Sequence, residues 1–394
     1  MSTFKTTPKY NMKNKTSWWR QPRILLCSLL WIALSQVHAQ SPQTQQFEQA
    51  QVQEQSRFWR LLGRSHDQRD SNYIKTYDRD ITGRIYYTRE NTGLSLRAPD
   101  QPSFDYKPNN SKGLGLGLSY RYLTLNASFK LLGTDKDKGK SHSLSLQTSL
   151  YKEQWVYDFV YQHFKGMYLS PKDVLSSVDN NYYLRPDVKS TLVGGDFWRI
   201  LNSDRFSYRS VMTQNEWQVK SAGTLLLGGE LYYGNSKADS ALVPAAISPN
   251  YPQAGVDNIR FFRIGAGIGY AYTYVFKKNF FVSGGLTTIL DYATTREYQG
   301  GGFDGKNAVS PNLSYRISIG YNSRRTNINA SLFNNSVPAH SALSAKNYNL
   351  FSQQFRITLA RRFSVGRKVR TRILNPVDKQ MDRVEDKVKQ LQGK

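Results

Sequence analysis

Histidine, serine, cysteine and paired carboxylates are the side chains from which an active site or a metal centre is built, and this chain uses them sparingly. Its one cysteine, Cys27, sits in an apolar N-terminal stretch, so the remainder has neither a disulfide nor thiol chemistry. Past residue 39 the histidines are His66, His142, His163 and His340. No serine motif accompanies any of them to make a nucleophile–base pair, and no two have metal-ligand spacing. His163 falls in phase with Trp155, Tyr157 and Phe159, on an apolar face. Gly265-x-Gly267-x-Gly269 alternates within a strand instead of opening a helix, so it is no phosphate loop; small residues there let neighbouring side chains fit. The sequence thus offers no catalytic residue, no metal ligand and no cofactor site.

The polar faces hold a better signal. Arg121, Lys130, Arg209, Arg263, Arg316, Arg356 and Arg362 fall by phase on one side of alternating segments, against few acids such as Asp158 and Glu230. Lining a water-filled lumen, such a set would attract and select anions. The other reading is structural: these cations pair with carboxylates of loops or a plug and hold the interior together. Both readings stand at this point.

The elements that must position them are strands. At 114–131, Leu114, Leu116, Leu118 and Tyr120 alternate with Gly115, Gly117, Ser119 and Arg121; after a slip at Tyr122, Leu123, Leu125, Ala127 and Phe129 alternate with Thr124, Asn126, Ser128 and Lys130. Successive strand side chains point to opposite faces, so each run has one apolar and one polar face. The rhythm returns at 81–97, 142–150, 154–166, 188–200, 205–214, 222–234, 260–276, 280–292, 312–322, 326–334 and 350–364, making 12 to 14 strands of roughly bilayer-spanning length. Short turns (121–123, 151–153, 201–204, 277–279, 323–325) mostly alternate with long polar links (99–111, 133–141, 167–186, 293–310, 335–348), the pattern of outer-membrane barrels. Connections 215–221 and 235–258 both read as long and break it. Either one strand is misassigned or a periplasmic turn is enlarged.

An export signal precedes the strands. Lys13, Lys15, Arg20 and Arg23 lead into the apolar stretch 24–34, and Val37-His38-Ala39 suits cleavage before Gln40. The stretch is too short to span a bilayer, and no segment after Ala39 approaches 18 apolar residues. An exported chain rich in Tyr (26) and Phe (19) with no membrane helix fits a closed barrel, since in hydrocarbon only helices and barrels satisfy their own backbone. The net charge of +25 falls to +19 without the signal. Behind an export signal that excess suits outer-membrane lipid and lipopolysaccharide or anionic solutes, not nucleic acid.

The expected organisation is a signal peptide at 1–39, a polar Gln-rich periplasmic lead at 40–78, a barrel at 79–365 and a basic tail with a helix at 366–394. Asn375 is placed to cap that helix with Pro376 at its first position. Val377, Met381, Val384, Val388 and Leu391 form an apolar stripe that would suit a periplasmic partner.

The blocks YIKTYDRDITGRIYYTRENTGLSLRAP (73–99), YKPNNSKGLGLGLSYRYLTLNASF (106–129) and FSYRSVMTQNEWQVKSAGTLLLGGELYYG (206–234) resemble an uncharacterised, porin-like outer-membrane β-barrel family of Gram-negative bacteria, labelled as a domain of unknown function. The resemblance covers about 73–364. It implies a fold and an outer-membrane location and carries no catalytic residue across.

The expected fold is all-β, a single antiparallel transmembrane β-barrel of about 12–14 strands with a short C-terminal helix. The expected function is porin-like passage of small, mildly anion-favoured solutes, without enzymatic activity. A non-conducting barrel that anchors envelope partners is the alternative, and an outer-membrane hydrolase ranks last. Strand number divides the first two, because side chains and inward loops can plug a lumen of about 12 strands.

Overall fold

A computed structural model describes residues 69–101, 103–109, 112–130, 135–172, 181–380 and 382–383. The expected signal at 1–39, most of the Gln-rich lead, and Met381, Val384, Val388 and Leu391 of the tail stripe lie outside the described residues.

The wall is an antiparallel barrel. β2 (Asp80–Leu96) pairs with β4 (Lys112–Tyr120), and β4 with β5 (Leu123–Lys130). β6 (His142–Tyr151) pairs with β7 (Trp155–Ser170), and β7 with β8 (Leu184–Ile200). From β8 the ladder runs through β10 (Ala222–Lys237), β11 (Asn258–Phe276), β12 (Phe280–Gln299), β13 (Gly302–Asn322) and β14 (Thr326–Ala339) to β15 (Tyr348–Ser364). β15 closes on β2, with Ile357 opposite Tyr87. The short β3 (Phe104–Lys107) lies between β2 and β7 at the end of the barrel remote from Asp80 and Ser364, pairing Tyr106 with both Leu94 and Leu169. The ring therefore closes through ten strands at that outer end and widens to twelve wall strands at the inner end, where β4, β5 and β6 lie.

The alternation selects the faces as expected. Leu125 (74 % exposed), Ile268 (60 %), Leu290 and Ile317 stand on the outside, while Thr273, Ser283, Asp291 and Ser318 are buried inside. Exposing such a belt to water would be costly at about 25 cal/mol per Å² of apolar surface; in lipid it costs nothing. At the inner end, rings stack outside the wall: Tyr274 on Phe276 (6.1 Å), Phe276 on Phe280 (5.3 Å) and Phe280 against Tyr321 (5.3 Å), an aromatic girdle of the kind that marks a membrane interface. The wall is that of an outer-membrane β-barrel. No helix among the described residues is long and apolar enough to cross a membrane.

Both ends of the lumen are closed by chain that folds inward. At the inner end, residues 201–221 turn into the barrel instead of forming the expected strand at 205–214. They carry α1 (Arg209–Met212) and β9 (Glu216–Gln218), which pairs with β1 (Ile74–Thr76). The alternation of Phe206 and Tyr208 with Ser207 and Arg209 misleads because all four are buried. Phe206 and Tyr208 pack with Val156, Trp198 and Leu226 in an inner core. This resolves the broken turn alternation: the inner-end connection is enlarged and the strand is not a strand. Residues 69–78, read as part of the lead, belong to this closure.

At the outer end, 238–257 folds over the lumen. Leu242, Val243, Tyr251 and Val256 pack with Tyr106 and Phe261 in a second core. Tyr106 donates to the Leu242 carbonyl (2.6 Å), and Gln253 donates to the Arg97 carbonyl (3.0 Å).

One expected loop is sheet. The link 293–310 is the continuation of β12 and β13, which meet at Gly300 and Gly301 with φ of 55° and 84°. The two glycines accept the left-handed turn that a side chain would resist. The tail is helical from Arg367, not from Asn375. It passes through a π-turn at Arg370–Leu374 and continues over 375–380. Pro376 has no N–H to give its preceding turn, and the wider π-turn just ahead of it relieves that mismatch.

Candidate functional site

Between the closures lies a cavity of about 200 Å³. Strands β7, β8, β10, β12, β13 and β15 supply most of its wall, and Met212 and Thr213 of the inner closure supply its floor. Its outer part is apolar, with Phe164, Met167, Leu192 and Leu350; the remainder mixes polar and charged side chains with Trp198, Ile289 and Phe333.

The ladder registers place carboxylates side by side. Asp158 lies directly opposite Asp196, and Asp196 directly opposite Glu230. Glu230 pairs with Gly265, which in turn pairs with Asp291, so four acids share one row across five strands. Like charges directly opposite one another destabilise a sheet, and Arg263 of β11 and Arg316 of β13 offset them. Arg316 donates to Asp158 (2.7 Å) and stands 3.7 Å from Asp196. Trp198 donates its indole N–H to Asp196 (2.6 Å), and Asn312 its amide to Glu230 (2.9 Å). Arg263, wholly buried, pairs with Asp291 and donates to the Pro338 carbonyl. Gly265 leaves the room: a Cβ there would collide with Asp291 Oδ1 and come within 2.8 Å of Ile289.

On the opposite side, Arg356 lies over the rings of Tyr86 (4.7 Å) and Phe333 (5.8 Å) and donates to Gln354 (2.8 Å), whose amide donates to Glu90 (2.9 Å). Arg84, on the neighbouring strand, donates to Ser119. Neither has a carboxylate partner among the described residues. One wall is therefore acidic and largely neutralised; on the other, Arg356 lines the cavity and Arg84 is buried on the strand beside it.

The expected lumen set divides by place. Arg316 and Arg356 line the cavity, and Arg263 is buried in the wall beside it. Arg209 and Arg362 belong to the inner closure. Arg209 pairs with Glu216 (3.0 Å) and Asp78 (3.0 Å); Arg362 donates to the Glu216 carbonyl (2.7 Å) and Asn322 (3.0 Å), with its plane over Tyr77 (4.5 Å). Arg121 is not in the lumen. It occupies the β4–β5 turn with φ 50° and pairs with Asp382 (2.8 Å) and Asp378 (3.4 Å) of the tail. The turn ends the alternation one residue before the phase would place it inside. Lys130 is the last residue of β5.

The inner closure is held by charge. Glu216 is fully buried between Arg69 (3.2 Å) and Arg209, with Ser207 as a third donor. Burial alone would raise its carboxyl, but Arg209, Arg69 and Ser207 outweigh it and hold Glu216 below the usual range. Burial pushes the Tyr208 phenol up to about 12. Asn322, Asn327 and Asn329 line up on β13 and β14 and donate to the Ser210, Glu216 and Val211 carbonyls at 3.2–3.4 Å, stitching the segment to the wall.

Phase arguments missed Asp196, Asp291 and Arg84. Asp196 and Asp291 are in phase with buried Trp198 and Ile289, so alternation could have placed each inside. Their assembly into one row depends on registers that alternation does not contain. No group of acids, histidines or cysteines among the described residues is arranged to hold a metal.

No curated protein matches the sequence. Among solved structures, an outer membrane channel of Pseudomonas putida F1 is 9 % identical, covering 75 % of this chain and 99 % of its own, with a TM-score of 0.24. The toluene transporter TodX of Pseudomonas putida is 6 % identical over 73 % and 90 % (TM-score 0.20), and OprG of Pseudomonas aeruginosa 10 % over 74 % and 98 % (TM-score 0.19). At such scores these likenesses carry no argument about what this barrel handles; the barrel is established by its own ladders. Residues 68–363 match the domain of unknown function DUF4421, and the chain belongs to that family.

Proposed function

We propose that this outer-membrane barrel gives small solutes a channel-like passage through its central cavity, with both ends gated. The observation that carries it is the charged cavity of about 200 Å³ left between two closures, each made of chain between strands and not of the wall itself. A barrel that served only as a scaffold would need no such space. The carboxylate row offsets Arg316 and Arg263, leaving Arg84 and Arg356 as the cations without a carboxylate, which supports at most a mild preference for anions. The apolar belt would contact outer-membrane lipid, and the basic surface would favour lipopolysaccharide phosphates.

Planar-bilayer conductance tests the reading. The intact chain should give rare, small openings. Replacing residues 240–255 with a short Gly-Ser link should raise open time and conductance, and Arg84→Glu with Arg356→Glu should then shift the reversal potential toward cations. The alternative, a non-conducting anchor, is favoured by the dense packing of both closures. Silence of the trimmed variant in a folded, heat-modifiable form would decide for it.

A further inference from the structure

The wall has one unladdered boundary. β5 and β6 follow one another in sequence and lie at neighbouring positions, yet among the described residues no ladder joins them, whereas every other adjacent pair of wall strands is laddered. The exposure agrees. Leu125 and Phe129 face outward on β5 while Asn126 and Ser128, of opposite phase, are exposed as well; on β6, Leu144 and Leu146 are exposed and so is Ser145. A strand in a closed wall would show only one open face.

The boundary is a slot of limited height. β3 ties β2 to β7 above it, so the outer ring is whole. Each edge is held to its own half of the wall: Thr124 bonds Ser119 (2.8 Å) and Ser128 bonds Tyr86 (3.0 Å) on one side, and β6 is laddered to β7 on the other. Unpaired strand edges at membrane depth are tolerated only where they line a polar or water-filled space. Such a space is present, because the cavity reaches the slot, with Thr124 and Asn126 of β5 and Ser149 and Tyr151 of β6 in its lining.

We propose that the cavity exchanges a small apolar molecule bearing one polar end with the bilayer, sideways through the slot between β5 and β6. This rests on the reading of the cavity as a solute chamber and adds the route and the solute class. The size follows from volume: a cavity of about 150 Å³ accepts benzene, so about 200 Å³ suits one ring with a substituent. The chemistry follows from the lining, with Phe164, Met167 and Leu192 around the body of the molecule and Arg316 and Trp198 within reach of its polar end.

The test uses the protein refolded in lipid vesicles, with Trp59, Trp155 and Trp217 changed to Phe so that Trp198 is the tryptophan left after the signal. The probe is 4-bromophenol supplied in the bilayer, which quenches indole on contact. Ser128→Cys with Ser145→Cys allows the slot to be locked by oxidation, since the sole native cysteine, Cys27, lies in the signal. Oxidation should slow Trp198 quenching at least tenfold, and reductant should restore it. Should the pair not oxidise, Ser128→Cys carrying a bulky maleimide should block equally. An unchanged rate after locking or labelling overturns the lateral route. Absence of quenching in the reduced form overturns the solute chamber along with it. Conductance of the loop-trimmed barrel is measured separately, so failure of the axial reading shows independently.

Discussion

Replacing Ile268 by arginine tests whether the exposed belt is a lipid face. Ile268 is 60 % exposed, sits near the middle of β11, and pairs with Leu227 and Thr288. An arginine on the lipid face of a barrel costs about 2–4 kcal/mol at the bilayer midplane and about 0–1 kcal/mol near the interface. Phe262 shares the face six residues toward the outer end. At roughly 3.3 Å per residue and a tilt of about 45°, it lies about 14 Å higher, at the edge of a hydrocarbon core about 30 Å thick. Phe262→Arg should therefore lose only about 0–1 kcal/mol to lipid, plus whatever packing the ring gives. The inward neighbour is no silent control. A Cβ at Gly267 would collide with the Thr288 carbonyl and come within 2.6 Å of Ile289, so Gly267→Ser should cost about 1–3 kcal/mol by overpacking. Equilibrium urea unfolding in vesicles reads all three as midpoint shifts at constant slope. Equal penalties for arginine at 262 and 268, or no penalty at 268, would refute the membrane depth assigned to β11.

Glu216→Gln should release the inner closure at a cost of roughly 3–5 kcal/mol, because Arg69 stays buried without its carboxylate and Arg209 keeps only Asp78; protease sensitivity of 201–221 measures it. Glu216 has a folded pKa below its unfolded value, so its contribution is fully present above about pH 4.5 and is lost as pH falls through the folded pKa. The closure should accordingly loosen in acid, with Glu153, raised by burial, offsetting part of the loss. Arg316→Ala should destabilise the barrel by a comparable roughly 3–5 kcal/mol, since it leaves Asp158 facing Asp196, and adding Asp196→Asn should recover much of it in a double-mutant cycle. Deleting residues 375–394 should leave a heat-modifiable barrel, because the partly exposed Arg121 pairs with Asp378 and Asp382 are worth only about 0.2–1 kcal/mol each.

Where one face meets lipid and the other the lumen, alternation reports orientation directly, and β11 with its Tyr270, Tyr272 and Tyr274 outside was legible residue by residue. Where chain is buried on both sides, the same alternation carries no orientation. That is why 205–214 read as a strand and Arg209 as lumen-lining. Arg121 failed for a different reason: a positive φ at the turn swings the side chain out of the strand's phase. Half of the site was visible as isolated charges, Arg263, Arg316, Arg356, Asp158 and Glu230. Their partners Asp196 and Asp291, and the shared row, arise from inter-strand register, which is set by turn lengths and by glycines such as Gly265 that admit a neighbour's side chain.

The two closures hang from opposite ends of the same strand. Residues 201–221 lead into β10 and 238–257 lead out of it, and β10 is laddered to β11 along its whole length and to β8 along most of it. A strand held on both edges cannot slide, so displacing one closure has no mechanical means of displacing the other. If each opens independently with a minor-state population of roughly 1 %, both stand open about one ten-thousandth of the time. Under the proposed passage the lumen would then work as an airlock: traffic along the axis would proceed by alternate opening of two doors, and the permeability barrier of the membrane would survive the presence of the barrel.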